Sequence, residues 1–253
     1  MSNTLLFFCI FCIYFGVEGT PRLVGGDRIP IELGKFHASL QNVTRHHVCG
    51  GAIISQKHVV TAAHCVFNAE PKYIHVVIGT ANLDNGGLMY SVESVYVHDD
   101  YNSTLRLNDI AILKIRGLFN LCKAKMLRLD TEKLKEGDNV TVVGFGAKKP
   151  NGESARKMNA LNLTVFSQET CQYAMRYTRK IYDSMFCTFT GIGQGTCHGD
   201  SGGPLVKDNK LVGIVSWGIP CAVGFPDVHT RIQPYIPWIQ NIMDKVSCGS
   251  CRK

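Results

Sequence analysis

The chain is written in short apolar runs, each closed off within a few residues by Gly, Pro, Asn or Asp. Runs rich in Val, Ile, Thr and aromatic residues, punctuated this way, are strand material. They predict strands over residues 49–55, 74–79, 91–98, 110–115, 140–145, 161–166, 211–217 and 228–231. In 91–98 the two-residue alternation is visible though imperfect: Val92, Val95 and Val97 interleave with Glu93, Tyr96 and His98. Only the C-terminal end carries a helical period. Ile236, Ile239, Ile242, Met243 and Val246 fall on one face, and Pro237 sits near the start, where a missing N–H costs little. That stripe is read as core contact. No repeat or long linker interrupts the pattern. A chain of 253 residues suits one large all-β unit, or two small lobes sharing an interface.

Composition narrows the class. With 45% hydrophobic and 19% charged residues the chain can bury a core, so disorder is excluded for most of it. The net charge of +7 is scattered, its densest pieces being Lys148-Lys149 and the segment 176–180. Without a basic stripe, neither nucleic acid nor a membrane surface is an expected partner.

Eleven cysteines point to an oxidising compartment. The N-terminus agrees. Residues 5–15 form an apolar run too short to span a bilayer, and Val17 and Gly19 fit a small-residue cleavage pattern, with Gly16 as the alternative. This leader lacks the usual Lys or Arg. Residues 1–19 are read as a signal peptide, and the chain as secreted. Cys9 and Cys12 leave with the leader, so nine cysteines remain, and an odd number leaves at least one unpaired or bridged to another molecule. Sequons at Asn42, Asn102, Asn139 and Asn162 are glycosylation candidates. Asn139 and Asn162 lie in predicted strands and require outward-facing side chains.

Three segments carry chemistry: Thr61-Ala62-Ala63-His64-Cys65, Asn108-Asp109-Ile110-Ala111, and Gly199-Asp200-Ser201-Gly202-Gly203-Pro204. A serine hydroxyl is a poor nucleophile until a base takes its proton, and imidazole has a suitable pKa. A buried carboxylate then holds the imidazole in one tautomer. Glycines around Ser201 let backbone N–H groups approach a developing oxyanion. Gly-Asp-Ser-Gly-Gly also fits the nucleophile elbow of α/β-hydrolases, whose acid and His follow the Ser. Asp208 or Asp227 and then His229 could nominally serve. The chain beyond Ser201 is short and lacks strand–helix units, so that reading is rejected.

Together, and in the order His, Asp, Ser, the three segments resemble the chymotrypsin-like serine proteases from Leu23 to about Val246. The resemblance implies two six-stranded antiparallel β-barrels with a C-terminal α-helix, forming one protease domain over residues 23–253. His64 would be general base and acid, Asp109 its orienter and Ser201 the nucleophile. The N–H groups of Gly199 and Ser201 would form the oxyanion hole. Residues 20–22 would be a short activation segment. Cleavage after Arg22 by a trypsin-like protease would free the amine of Leu23 to pair with Asp200, and before cleavage Asp200 would contact His47 and Ser39. The substrate pocket would be walled by Gly195, Thr196, Cys197 and His198 on one side, and by Ser216, Trp217, Gly218 and residues 221–228 on the other. Gly195 stands where trypsin-like relatives carry Asp, and Asp227 where many carry Gly. The expectation is a preference for large aromatic or aliphatic residues, with broad or trypsin-like specificity through Asp227 as the alternative. Disulfides Cys49–Cys65, Cys171–Cys187 and Cys197–Cys221 match family bridges, and Cys122 is left to pair with Cys248 or Cys251. No cofactor or metal is expected: His46-His47-x-Cys49 only superficially resembles a zinc site. Pro226 replaces the Tyr of sodium-regulated relatives, and Phe145 stands where the family prefers Trp. Expected partners are protein or peptide substrates, the activating protease and protein inhibitors. The enzyme itself is expected to be a monomer. The contrary reading is a catalytically silent homologue that binds without cleaving.

Overall fold

The computed structural model describes residues 23–248. The expectations for the leader, Arg22 and Cys251 fall outside that range. Twelve strands build two barrels. The first contains β1 (His37–Gln41), β2 (His47–Ile53), β3 (His58–Thr61), β4 (His75–Ile78), β5 (Leu88–Val97) and β6 (Ala111–Ile115). They pair antiparallel in the order β1-β2-β3-β6-β5-β4, and β4 returns to β1. The second contains β7 (Asn139–Gly144), β8 (Asn159–Phe166), β9 (Met185–Thr188), β10 (Pro204–Lys207), β11 (Lys210–Gly218) and β12 (Asp227–Arg231). Its order is β7-β8-β9-β12-β11-β10, closed by β10 on β7. The two barrels thus repeat one strand order. Closure removes the open sheet edges that would otherwise invite aggregation.

All eight expected strands are present. Four more, β1, β3, β9 and β10, were not anticipated. They have five or fewer residues, and in β1 His37, Ser39 and Gln41 are as buried as Ala38 and Leu40. A strand buried on both faces shows no alternation to read. A short helix, α1 (Gln168–Ala174), also went unread. Its signal is the N-cap, where the Ser167 hydroxyl accepts from the Thr170 N–H. The expected C-terminal helix is α2 (Ile236–Cys248), entered through a 3₁₀ turn over Gln233–Tyr235.

Each barrel has its own apolar filling, but a third cluster joins them. Phe36, Val60, Ile110 and Ile112 of the first barrel pack with Val143, Phe145 and Ile214 of the second, and with Ile239 and Ile242 of α2. The helical stripe therefore straps the second barrel onto the seam.

Three disulfides join Cys49–Cys65, Cys171–Cys187 and Cys197–Cys221. Cys122 is exposed and free among the described residues; its suggested partners, the Cys248 side chain and Cys251, lie outside them. The sequon residues Asn42, Asn102, Asn139 and Asn162 are all exposed. Asn139 and Asn162 do point outward, on the neighbouring strands β7 and β8, where Asn162 accepts from the Thr141 hydroxyl at 2.7 Å.

Candidate active site

The groups of interest meet in the seam. His64 sits in a 3₁₀ turn, Ala63–Cys65, immediately after β3. The Cys49–Cys65 bridge ties that turn to β2. Asp109 stands just before β6 and is fully buried. Ser201 comes from the other barrel, in the turn before β10, and its carbonyl accepts the Gly50 N–H of β2 at 2.8 Å. The barrels approach so closely here that a Cβ on Gly202 would strike Thr61 and the Gly50 carbonyl. Gly202 also has φ +73°, which favours glycine.

Three donors converge on the Asp109 carboxylate. The His64 backbone N–H reaches Oδ1 at 2.9 Å, and His64 Nδ1–H reaches Oδ2 at 2.7 Å. The Ser216 hydroxyl donates to the same Oδ2 at 2.6 Å. The Asp109 carbonyl accepts from the Thr230 hydroxyl, and the adjacent Asn108 accepts from Tyr235. The Asp109 carboxylate is thus positioned by both barrels. With Nδ1 as the donor, neutral His64 keeps its Nε2 lone pair for the cavity that it lines with Ser201. No hydrogen bond joins that nitrogen to Ser201 Oγ, as is common where no substrate is bound. The N–H groups of Gly199 and Ser201 make no hydrogen bond among the described residues, and Gly199 has φ +94°. Two free donors beside a serine that shares its cavity with a basic imidazole are suited to acyl transfer through an oxyanion.

The family model for trypsin matches residues 23–239. The chain belongs to the trypsin family of serine proteases. Chymotrypsin-2 of Vespa crabro is 35% identical over 220 residues, which cover 86% of this chain and 98% of that protein. Trypsin 5G1 of Aedes aegypti is 34% identical over 231 residues, covering 89% and 86%. The solved structure of neuropsin, a serine protease of mouse brain, superposes with a TM-score of 0.79 at 30% identity, covering 86% of this chain and 98% of that one. The trypsin-family fold and peptide-bond hydrolase class therefore agree with the resemblance read from the three segments.

In this trypsin-family protein the cavity beside Ser201 has a volume of about 250 Å³. Its floor is Asp227. The Asp227 Oδ2 accepts the Thr196 N–H at 2.6 Å, and a Cβ on Gly195 would lie only 2.7 Å from that oxygen. Gly195 and Asp227 are thus sterically coupled. Gly218 flanks the other carboxyl oxygen. The Cys197–Cys221 bridge staples the walls, and exposed His198 lines the rim. Burial pushes Asp227 up to about 7, against the pull of its Thr196 hydrogen bonds.

Asp200 lies beneath the Ser201 turn, 1% exposed. It accepts from Gly146 N–H at 2.9 Å and Cys197 N–H at 3.0 Å. Burial pushes it up to about 7, the two amides oppose that, and the Asp227 charge adds to it. The expected contact with His47 is absent. His47 does bond Ser39, at 2.8 Å, but its Nε2–H donates to the Gly199 carbonyl at 2.8 Å. The carbonyl occupies the only donor that neutral His47 has left, and Asp200 turns inward to the amides. Leu23 is fully buried among Val140, Val142, Phe186 and Leu205, and Val24 bridges to Gly195. Phe145 packs edge-on against His37 and His47, so the Trp-to-Phe departure is a packing change.

Cys49, His64 and Cys65 place potential metal ligands within 4.8 Å of one another. Both sulfurs are held in the disulfide, which leaves no thiolate to bind a metal. Among the described residues, no helix is long and apolar enough to cross a membrane.

The two raised carboxyls make stability depend on pH. Each folded pKa lies above the unfolded value of 3.8, so the folded state holds these protons more tightly. Their contribution is complete below about pH 4 and is lost as pH rises through about 7. Thermal melts of the uncleaved chain should show this decline, on the order of a few kcal/mol. An Asp227→Asn variant should flatten it. An unchanged slope in that variant would contradict the assignment.

Proposed function

We propose that the chain is a secreted endopeptidase, made as a precursor and switched on by cleavage after Arg22. It would hydrolyse peptide bonds through an acyl-enzyme on Ser201. His64 would shuttle the proton, Asp109 would hold the imidazole, and the Gly199 and Ser201 amides would bind the oxyanion. The observation that carries this reading is the placement of His64 and Ser201 on one cavity, from opposite barrels, with His64 anchored at 2.7 Å to a buried carboxylate. The substrate backbone would pair with residues 216–218. Trp217 and Gly218 pair with β12 on one side, and among the described residues no strand covers the other. That is the geometry of strand addition. The three disulfides and the N-terminal leader support secretion.

Activation has a physical rationale in Asp200. A buried carboxyl raised to about 7 has no cation beside it among the described residues. A new ammonium at Leu23, whose side chain is already packed in the second barrel, would supply one. That pair would lower the Asp200 pKa and fix the turn that carries the oxyanion amides.

For specificity, the floor carboxyl accommodates two classes. Protonated Asp227 makes a neutral slot for Phe or Leu, and the ionised form attracts Arg or Lys. Near pH 7 the apolar class is favoured, because burial opposes ionisation. After cleavage at Arg22, a fluorophosphonate should label Ser201. Peptides differing only in Phe, Leu, Arg or Lys before the scissile bond should be cut with Phe or Leu preferred. The Phe-to-Arg ratio of kcat/KM should fall as pH rises from about 6 to about 8, following the Asp227 titration. Arg preferred over Phe at neutral pH would overturn the specificity assignment, and no label on Ser201 would overturn the activity.

A further inference from the structure

The cavity that holds His64 and Ser201 is also lined by Arg106 and Arg179. Neither guanidinium forms an ion pair among the described residues: Asp227, at the floor of the same cavity, accepts from the Thr196 N–H, and the buried Asp109 behind it accepts from His64 and Ser216. Both arginines are half-buried and held by neutral partners. Arg179 Nε–H donates to the Thr104 carbonyl at 3.1 Å, and its guanidinium lies over the Trp217 ring, 5.3 Å from the centroid. Arg106 Nη1–H donates to the Tyr101 hydroxyl at 3.2 Å, and its buried Nε has no partner. Arg106 also has φ +56°, a conformation that a long side chain adopts only when its surroundings impose it.

Two fixed, unneutralised cations in a partly water-excluded cleft favour an anion between them. Their position indicates which part of a ligand would supply it. Trp217, under Arg179, belongs to the open edge that takes the substrate backbone on the side leading into the Asp227 slot. An extended chain rises about 3.3 Å per residue and turns alternate side chains to opposite faces. Residues two to four places before the scissile bond would therefore pass the arginines.

We propose that Arg106 and Arg179 form a second selection site, which takes an aspartate or glutamate side chain of the substrate two to four residues before the scissile bond. This rests on the protease reading above. It adds an acidic determinant upstream of whatever side chain occupies the Asp227 slot. A guanidinium pair can bind a carboxylate through several N–H donors, while an amide of the same shape offers no charge.

The test uses the chain cleaved at Arg22 and peptides with Phe before the scissile bond. Asp, Asn or Lys is placed in turn at the second, third or fourth position before that bond. At one of these positions Asp should exceed Asn by about five- to tenfold in kcat/KM at low salt, and Lys should be poorest. Added salt should shrink the ratio. Arg179→Gln and Arg106→Gln should each reduce it, and Arg179→Lys should restore part of it. Asp and Asn peptides cut equally at all three positions, or a ratio unchanged in the double Gln variant, would overturn the proposal. Cleavage of the Asn series, and fluorophosphonate labelling of Ser201 in a parallel sample, test the protease reading separately. If neither occurs, that reading fails and this proposal falls with it.

Discussion

Asp109→Asn should lower kcat by about ten-thousandfold while leaving the fold intact. The reason lies in the donors around the carboxylate. The His64 N–H, the His64 Nδ1–H and the Ser216 hydroxyl all point at its two oxygens. An amide has one oxygen and one NH₂, so it must turn a donor towards one of these donors. If the NH₂ faces the imidazole, His64 relieves the clash by moving its proton to Nε2. The nitrogen towards the cavity then carries a hydrogen and can no longer accept one from Ser201. Substrate binding would be little changed, because Asp109 is fully buried and does not line the cleft. Steady-state kinetics should therefore show the loss in kcat with KM nearly constant. A loss confined to KM would contradict the assigned role.

Asp200→Asn should be nearly as severe, at roughly a thousandfold in kcat/KM for the chain cleaved at Arg22. Here too both carboxyl oxygens accept amide N–H groups, from Gly146 and Cys197. Asn would turn a donor at one of them and would remove the negative charge for the Leu23 ammonium. The turn that carries the Gly199 and Ser201 amides would lose its lock, and one misplaced oxyanion donor already costs about a hundredfold or more. Stability should behave differently from activity. The uncleaved variant should be at least as stable as wild type at neutral pH, because it no longer buries a carboxyl raised to about 7. Melting curves and fluorophosphonate labelling rates on the same samples separate the two effects. Normal labelling of the cleaved variant would eliminate the activation model.

Much of the architecture was legible because its long strands carry a strand signal, such as the Val- and Ile-rich Leu211–Trp217 within β11 and the alternation of Leu161, Leu163 and Val165 with Asn162 and Thr164 in β8. The four short strands β1, β3, β9 and β10 were not. β3 and β9 are four residues each and buried throughout, so no period marks them. The site divides in the same way. His64, Asp109 and Ser201 were legible as a set, because three short segments in the order His, Asp, Ser match together, although a lone His or Asp says little and only the glycine-dense turn at Ser201 stands out by itself. Their supporting partners lie far off in the chain. Ser216 was anticipated as a strand edge, but its hydroxyl bond to Asp109 spans 107 residues. Arg106 and Arg179 read as ordinary basic positions, and nothing local shows that they open onto the cleft. The expected Asp200–His47 contact is missing for a related reason, although His47 does meet Ser39. Its position was placed correctly, but the competition between the Gly199 carbonyl and Asp200 for a single N–H is settled only in three dimensions.

The apolar seam between the barrels, with α2 laid across it, bears on how this molecule would be lost. A polar, hydrated interface would let two lobes part and rejoin while each stayed folded. Here Phe36, Ile110, Phe145, Ile214 and Ile239 share one cluster, so parting the lobes exposes core. Neither barrel then has a cheap open state, and unfolding is a single cooperative event. Because the nucleophile and its base stand on opposite sides of that seam, inactivation by heat and loss of structure would coincide. No partly open, folded form would linger to be nicked by its own kind.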